Sequence, residues 1–280
     1  MLTVIVTCHG DAQADNLCRM GADAFAGSDQ VVVVLSKTTR INFPFRCAYV
    51  VPGHRIEGFD AGANRDDGLA TAQLLHPGTD ALFLDGDCNP SPTWLASHRV
   101  ALESETPTVT CGARTEDGRP DPRTLPLSWS GGDFAPSLFA GHNYEPAYRE
   151  TLAHRATWSC NLGINRAALE RIQSAGEVLH GCRRVFSPEF DGTWGGEDTG
   201  LGIVAHLTGC RVLMLDSETS SVAHQRHDRF HTTRRNLDLI PAYAAQVSRK
   251  LRTQTVSENT PSSLEPGGRD VQPSFEDPAQ

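Results

Sequence analysis

The chain has no basic run, no apolar stretch of about 18 residues, no C-x-x-C pair and no lysine between Lys37 and Lys250, and each absence removes a class of protein. Acids outnumber bases, 34 Asp plus Glu against 25 Lys plus Arg, for a formal net charge of −9. The longest basic clusters are pairs such as Arg183-Arg184 and Arg234-Arg235. Such a surface repels phosphate backbones and anionic lipid, so no nucleic-acid partner is expected, and an anionic ligand here calls for a cation between it and the protein. Without a long apolar run, no transmembrane segment is expected. The opening Met1–Thr7 lacks the basic n-region and the roughly 7–15-residue apolar core of a signal peptide and reads as a buried strand, so a cytoplasmic location is expected. Eight cysteines spread singly, with no zinc-type spacing, read as reduced thiols serving as small core residues.

What is present is enough for a core. In 280 residues, 39% are hydrophobic, which suffices for folding without disulfide or metal staples. Strand-like runs at Val4–Thr7, Gln30–Leu35, Cys47–Val51 and Asp80–Leu84 alternate with helix-like segments at Asp11–Ala26, Asn64–Leu75 and Thr93–Leu102. Strands separated by helices of about a dozen residues predict βαβ units, hence an α/β fold with a mostly parallel central sheet flanked by helices. A Gly-rich break spans Gly53–Gly62, and from Gly112 to Gly141 the pattern dissolves into a long loop on the substrate side. Strands are then expected at Ser159–Ile164 and Arg211–Leu215, and helices at Arg166–Ser174, Glu197–Leu207 and Asn236–Arg252. Beyond Thr253 the composition predicts a disordered tail.

Three segments can carry chemistry. In Leu84-Asp85-Gly86-Asp87-Cys88 a hydrophobic strand ends in two carboxylates separated by glycine, at the sheet edge where open α/β proteins bind ligands. Both acids can approach one Mg²⁺ or Mn²⁺, and the same residues can equally form a polar turn. In Trp194-Gly195-Gly196-Glu197-Asp198, glycines allow close backbone approach, the indole offers a platform for a sugar ring, and two acids open a helix. Those acids can serve as helix caps or as a general base. His224, after the last strand, is either a surface residue or a nitrogen ligand completing an N/O metal site.

Ala63-Asn64-Arg65-Asp66-Asp67-Gly68, Ala81 through Pro90, and Trp94-Leu95 resemble the central block of family 2 glycosyltransferases with the GT-A (Rossmann-like) fold, where an A-x-R-N-x-G helix precedes a strand ending in D-x-D. Ser159 through Arg166, Phe190-Asp191 and the W-G-G-E-D segment resemble the acceptor half, closest to β-1,4-galactosyltransferases and their bacterial relatives. The resemblance covers roughly residues 1–230. It implies a single GT-A domain with a nucleotide-sugar-binding half at 1–110, an acceptor-binding and catalytic half at 111–235, a helix at 236–252 and a tail at 253–280. It implies metal-dependent, inverting transfer from a nucleotide-diphosphate sugar, most readily a UDP-sugar, to a glycan or small-molecule acceptor.

Residue by residue, Asp87 matches the metal ligand, Asp85 the contact to ribose or the metal shell, and His224 the histidine completing the site. Asp198 matches the catalytic base, with Glu197 beside it and Trp194, Gly195 and Gly196 shaping the acceptor pocket. Thr7, His9, Arg65 and Gly86 lie along the nucleotide. Two departures bear on base and ribose recognition: Ser36–Thr39 replaces an Asp-rich segment, and Asp66 stands where the family has Asn. Two other readings are a haloacid dehalogenase-like phosphatase, which the lysine gap disfavours, and a nucleotide-sugar-binding module without turnover.

Overall fold

Two β-branched runs open the fold, and each packs both of its faces. Leu2–His9 (β1) and Gln30–Ser36 (β2) pair in parallel, with Val4 opposite Val31 and His9 opposite Ser36. In the computed structural model the described residues are 1–38, 42–50, 60–116, 119–120, 132–133, 157–192, 195–225 and 235–258. Asp80–Asp85 (β4) lies on the other side of β1, parallel to it. Ala48–Val50 (β3) extends the sheet beyond β2.

Side chains alternate across these strands, and the core divides accordingly. Ile5, Val32, Val34, Ala81 and Phe83 face one layer, formed by Ala61–Leu75 (α2), Arg166–His180 (α4), Glu197–Leu207 (α5) and Arg235–Glu258 (α7). Val4, Val6, Val31, Val33, Leu82 and Leu84 face the other, formed by Asp11–Met20 (α1) and Trp94–Leu102 (α3). Burial on both faces is why these strands read as continuous apolar runs. Contact on the α2 side is close: a Cβ at Gly68 would sit 2.6 Å from Ile5 Cγ2 and 2.7 Å from Val34 Cγ2.

The sheet continues through Asn161–Ile164 (β10), Thr108–Cys111 (β6), Arg211–Met214 (β11) and Gly132–Asp133 (β9), in the order β3-β2-β1-β4-β10-β6-β11-β9. β10 is antiparallel to both neighbours, and a buried polar network pins it. Asn161 accepts from Trp94 Nε1 at 2.8 Å, lies 2.9 Å from His98 Nε2, and donates to the carbonyls of Ala113 and Ser220 at 2.8 and 2.7 Å. A second sheet, β5-β12-β7-β8, joins Cys88–Pro90 (β5), Val222–His224 (β12), Arg114–Glu116 (β7) and Arg119–Pro120 (β8). Ser217–Ser220 (α6) leads into β12.

Several boundaries differ from expectation. α1 ends at Met20 because Gly21 takes a φ of +70° and a separate 3-10 turn follows at Asp23–Phe25. α2 begins at Ala61, α4 continues to His180, and α7 overruns the expected 236–252 at both ends. Six short strands, β5 to β9 and β12, were not expected. β6 is Thr-Val-Thr-Cys, with too few apolar residues to register, although all four are buried. β7 lies inside the stretch read as loop, and β12 spans only three residues. Most of that loop, the Gly53–Gly62 break up to residue 59, and the tail from residue 259 lie outside the described residues. Among those described, no helix is long and apolar enough to cross a membrane. All eight cysteines are free thiols.

Candidate active site

Sheet order places the site. β1 leads outward to β2 and β3, and the chain then returns to β4 on the opposite flank of β1, so a crevice opens at the carboxyl ends of β1 and β4. In that register Thr7 stands opposite Asp85. Thr7 Oγ1 donates to Asp85 Oδ1 at 3.0 Å, and Arg65 Nη2 donates to the same oxygen at 2.7 Å. The second arm of Arg65 reaches Glu197 Oε1 at 3.0 Å. One guanidinium therefore ties the D-G-D edge to the start of α5, bringing the two acidic motifs into one site. Asp85 and Glu197, followed by Asp198, hold the Arg65 charge firmly on against its burial. Its plane also lies over Phe186, 5.7 Å from the ring centroid, while its Nε has no hydrogen-bond partner among the described residues.

Gly86 turns the chain at the strand end, its N–H bonded to the Thr7 carbonyl at 2.8 Å. A Cβ there would meet Cys8 Sγ at 2.7 Å, so the position admits no side chain without displacement. Asp87 Oδ2 accepts from Gln13 Nε2 at 2.8 Å, and its carbonyl accepts from the Gln225 N–H at 2.8 Å, extending the β5–β12 ladder. That ladder sets His224 opposite Cys88, and His224 Nε2 comes 3.5 Å from Asp87 Oδ2. Burial, then the charges of Asp87 and Asp85, push the Cys8 thiol far above its ordinary range, a mark of negative potential along this edge.

At the other wall, Gly195 and Gly196 carry φ of +84° and +96°, values that favour glycine, and Glu197 and Asp198 follow at the first turn of α5. Glu197 is buried. Asp198 Oδ1 accepts from the Thr199 N–H at 2.8 Å. Burial, followed by the Glu197 charge, raises the Asp198 pKa to about 7, against the opposing pull of Arg65. Helix-start dipole alone would depress it, so desolvation prevails here. His9 lies beside the crevice with Nδ1 3.1 Å from Ser36 Oγ, and burial, then Lys37, lowers its pKa so that the ring is neutral at neutral pH. Trp194 lies outside the described residues.

Two donors at this edge suit a divalent ion. Asp87 Oδ2 and His224 Nε2 stand beyond ordinary hydrogen-bond length, yet at a separation two ligands of one cation can share, and the oxygen–nitrogen pair suits Mn²⁺. Asp85 commits its Oδ1 to Arg65 and Thr7 instead. Among the described residues no three His, Cys, Asp or Glu side chains form a metal-holding group by themselves. The pair fits an ion whose remaining ligands come from phosphate oxygens and water, as is usual for Mg²⁺.

Sequence reasoning missed Gln13, Asn16 and Glu116. Asn16 donates to the Gly86 carbonyl at 2.8 Å and accepts from Gln225 Nε2. A fully buried Asn on the apolar face of α1, beside Ala14 and Leu17, is the signal that could have found it.

No protein-family model and no curated protein matches the chain. Among solved structures, S. aureus TarS 1–349 in complex with UDP-GlcNAc is similar over 88% of this chain and 66% of its own, just under two thirds, at 13% identity and TM-score 0.57. TarS 1–349 in complex with UDP is similar over 92% of this chain and 72% of its own, at 14% identity and TM-score 0.54. At such identity the likeness speaks to fold alone, and the fold is the GT-A type: an α/β domain with a mostly parallel sheet flanked by helices.

Proposed function

We propose that the chain is a cytoplasmic inverting glycosyltransferase, a hexosyltransferase of family 2 type, which moves a sugar from a UDP-sugar to an acceptor hydroxyl with Mn²⁺ or Mg²⁺. The observation that carries this is the Arg65 bridge from Asp85 to Glu197, which ties the strand-end acids to the start of α5, where the next residue, Asp198, has its pKa raised by burial to about 7. TarS, of the same fold, was solved with UDP-GlcNAc, which supports a UDP-sugar as donor.

Thr7 and His9 border the nucleobase, Arg65, Asp85 and Gly86 line the nucleotide sugar, and Trp194, Gly195 and Gly196 receive the acceptor. Asp87 and His224 would hold the ion, with Asp85 in its outer shell, and a bound divalent ion neutralises charge on a diphosphate leaving group. Asp198 accepts the proton of the acceptor hydroxyl as that oxygen attacks C1 of the donor sugar. A pKa near 7 leaves it both basic and substantially ionised at neutral pH. One base and no carboxylate assigned as a nucleophile imply a single displacement with inversion.

A thermal-shift panel of UDP-, GDP-, dTDP- and CMP-sugars with and without Mn²⁺ tests the reading, with metal-dependent stabilisation by a UDP-sugar expected. Asp198→Asn then abolishes transfer and leaves that stabilisation intact, whereas Asp87→Ala removes its metal dependence. Stabilisation by no nucleotide, or full turnover in Asp198→Asn, sinks the proposal.

A further inference from the structure

β12 lies between β5 and β7 in the second sheet, and its last residue is flanked on both sides by acids. His224 stands opposite Cys88, next to Asp87, across one ladder and opposite Glu116 across the other. Its Nε2 faces Asp87 Oδ2 at 3.5 Å, and its Nδ1 faces Glu116 Oε1 at 3.7 Å. The same Glu116 oxygen accepts from Arg114 Nη2 at 2.5 Å, and that guanidinium lies over Trp158, 5.2 Å from the ring centroid. Arg114 is buried and thus a fixed post, so the position of the Glu116 carboxylate is set by packing.

We infer that Glu116 is a positioning residue for the metal ligand His224, anchored by Arg114, an assignment that rests on the metal reading of Asp87 and His224 above. A neutral imidazole has one N–H and one lone pair. With the proton on Nδ1, directed at Glu116, the Nε2 lone pair points at the Asp87 carboxylate. Two acceptors then face each other, an arrangement that a cation between them resolves. At 3.7 Å the Nδ1 contact is longer than a hydrogen bond, and withdrawal of electron density at Nε2 strengthens Nδ1–H as a donor and favours its closure. Carboxylates behind metal-bound histidines fix the tautomer in this way, and their loss typically weakens metal binding about 10–100-fold.

The test uses Mn²⁺ alone, titrated into the full chain and read by electron paramagnetic resonance of the free ion. Glu116→Gln is expected to weaken Mn²⁺ binding about 10–100-fold. Arg114→Met, which keeps the Glu116 carboxylate but releases it from its anchor, is expected to lower Tm and to weaken Mn²⁺ binding by clearly less than Glu116→Gln does. Equal weakening by both variants, or wild-type affinity in Glu116→Gln, overturns the inference. Wild-type affinity in both Asp87→Ala and His224→Ala instead removes the metal reading itself. A measurement independent of any variant is the long-range ¹⁵N–¹H histidine spectrum of the metal-free wild type. His224 protonated at Nδ1 is expected, and protonation at Nε2 alone refutes the assignment.

Discussion

Replacing Arg65 by methionine asks whether the two acidic motifs are one electrostatic unit. The guanidinium is 5% exposed and bonds Asp85 and Glu197, whose side chains are 25% and 9% exposed. Removing one member of a buried ion network costs about 3–5 kcal/mol, because the charges left behind lose their partner. Water reaches Asp85 and takes up part of that loss, so the lower end, about 3 kcal/mol, is the expectation. Methionine refills most of the aliphatic volume over Phe186, which keeps any cavity contribution small. At about 2–4 °C per kcal/mol for a chain of this order of size, Tm should fall by about 6–12 °C. Destabilisation alone would be weak proof, and Asp198 supplies a sharper readout. Arg65 is the foremost influence holding the Asp198 pKa down, so its loss moves that pKa above about 7. Because the base must be ionised to accept a proton, the acid limb of kcat/KM against pH should shift to higher pH in Arg65→Met. The assay is transfer from the UDP-sugar that the thermal-shift panel selects, run well below the variant's Tm. A fall in Tm with an unmoved acid limb would refute the link between Arg65 and Asp198, and an unchanged Tm would refute the buried network.

Asp198→Asn should raise stability while it abolishes transfer. A carboxyl whose folded pKa is raised to about 7 favours the folded state below its unfolded pKa, and that contribution is lost as pH rises through 7. The amide copies the neutral form, so the Tm advantage of Asp198→Asn should be largest at pH 8 and shrink toward pH 5; an advantage that grows on acidification contradicts the sign. Asn161→Leu orphans Trp94 Nε1, His98 Nε2 and the Ser220 carbonyl, while the Ala113 carbonyl keeps the Val222 N–H, so at about 1–3 kcal/mol per orphaned group a loss of about 3 kcal/mol or more is expected from urea unfolding followed by tryptophan fluorescence. Gly68→Ala gains about 1 kcal/mol of helix propensity but places a methyl 2.6 Å from Ile5 Cγ2, an overpacking cost of about 1–3 kcal/mol, so the urea midpoint should fall. A midpoint above wild type would mean that α2 shifts away from the sheet freely.

What could be read from the sequence was local. β1, β2 and β4 are apolar runs because both faces are covered, and each ends at a polar residue that water or a ligand can reach. α5 was legible to the residue, since two glycines with positive φ precede it and its acids open it. The strands that escaped, β5 to β9 and β12, are two to four residues long, below the length at which alternation becomes a signal. With them went Glu116, because a register across three short strands is a property of the folded sheet. The Arg65 bridge was hidden for a related reason. The arginine was visible as a motif residue, but its two carboxylate partners come from β4 and α5, and only the packing of α2 between them shows that one side chain serves both.

Asp66 shows how a departure from a family pattern changes meaning once contacts are known. Beside Arg65, where the family has Asn, it bears in sequence on recognition of the nucleotide. In the fold its carboxylate accepts from Arg184 Nε at 2.8 Å and from the Val185 N–H at 2.9 Å, and Arg184 in turn binds Asp191. The two donors address different carboxylate oxygens, Arg184 Nε on Oδ2 and the Val185 N–H on Oδ1, so an asparagine in the same pose would turn its NH₂ on one of them. Burial pushes the Asp66 pKa up to about 6, while Arg184, Val185 and Phe186 oppose the rise, and the carboxylate remains mostly ionised at neutral pH. The next residue held is Phe186, whose ring lies under Arg65 and packs edge-on against Phe83 of β4. Asp66 thus acts on the site through the segment that supports the arginine bridge. In this fold Asp66 therefore serves to fix Arg65, while the other departure, Ser36 and Lys37, lies at the end of β2, where Ser36 meets His9.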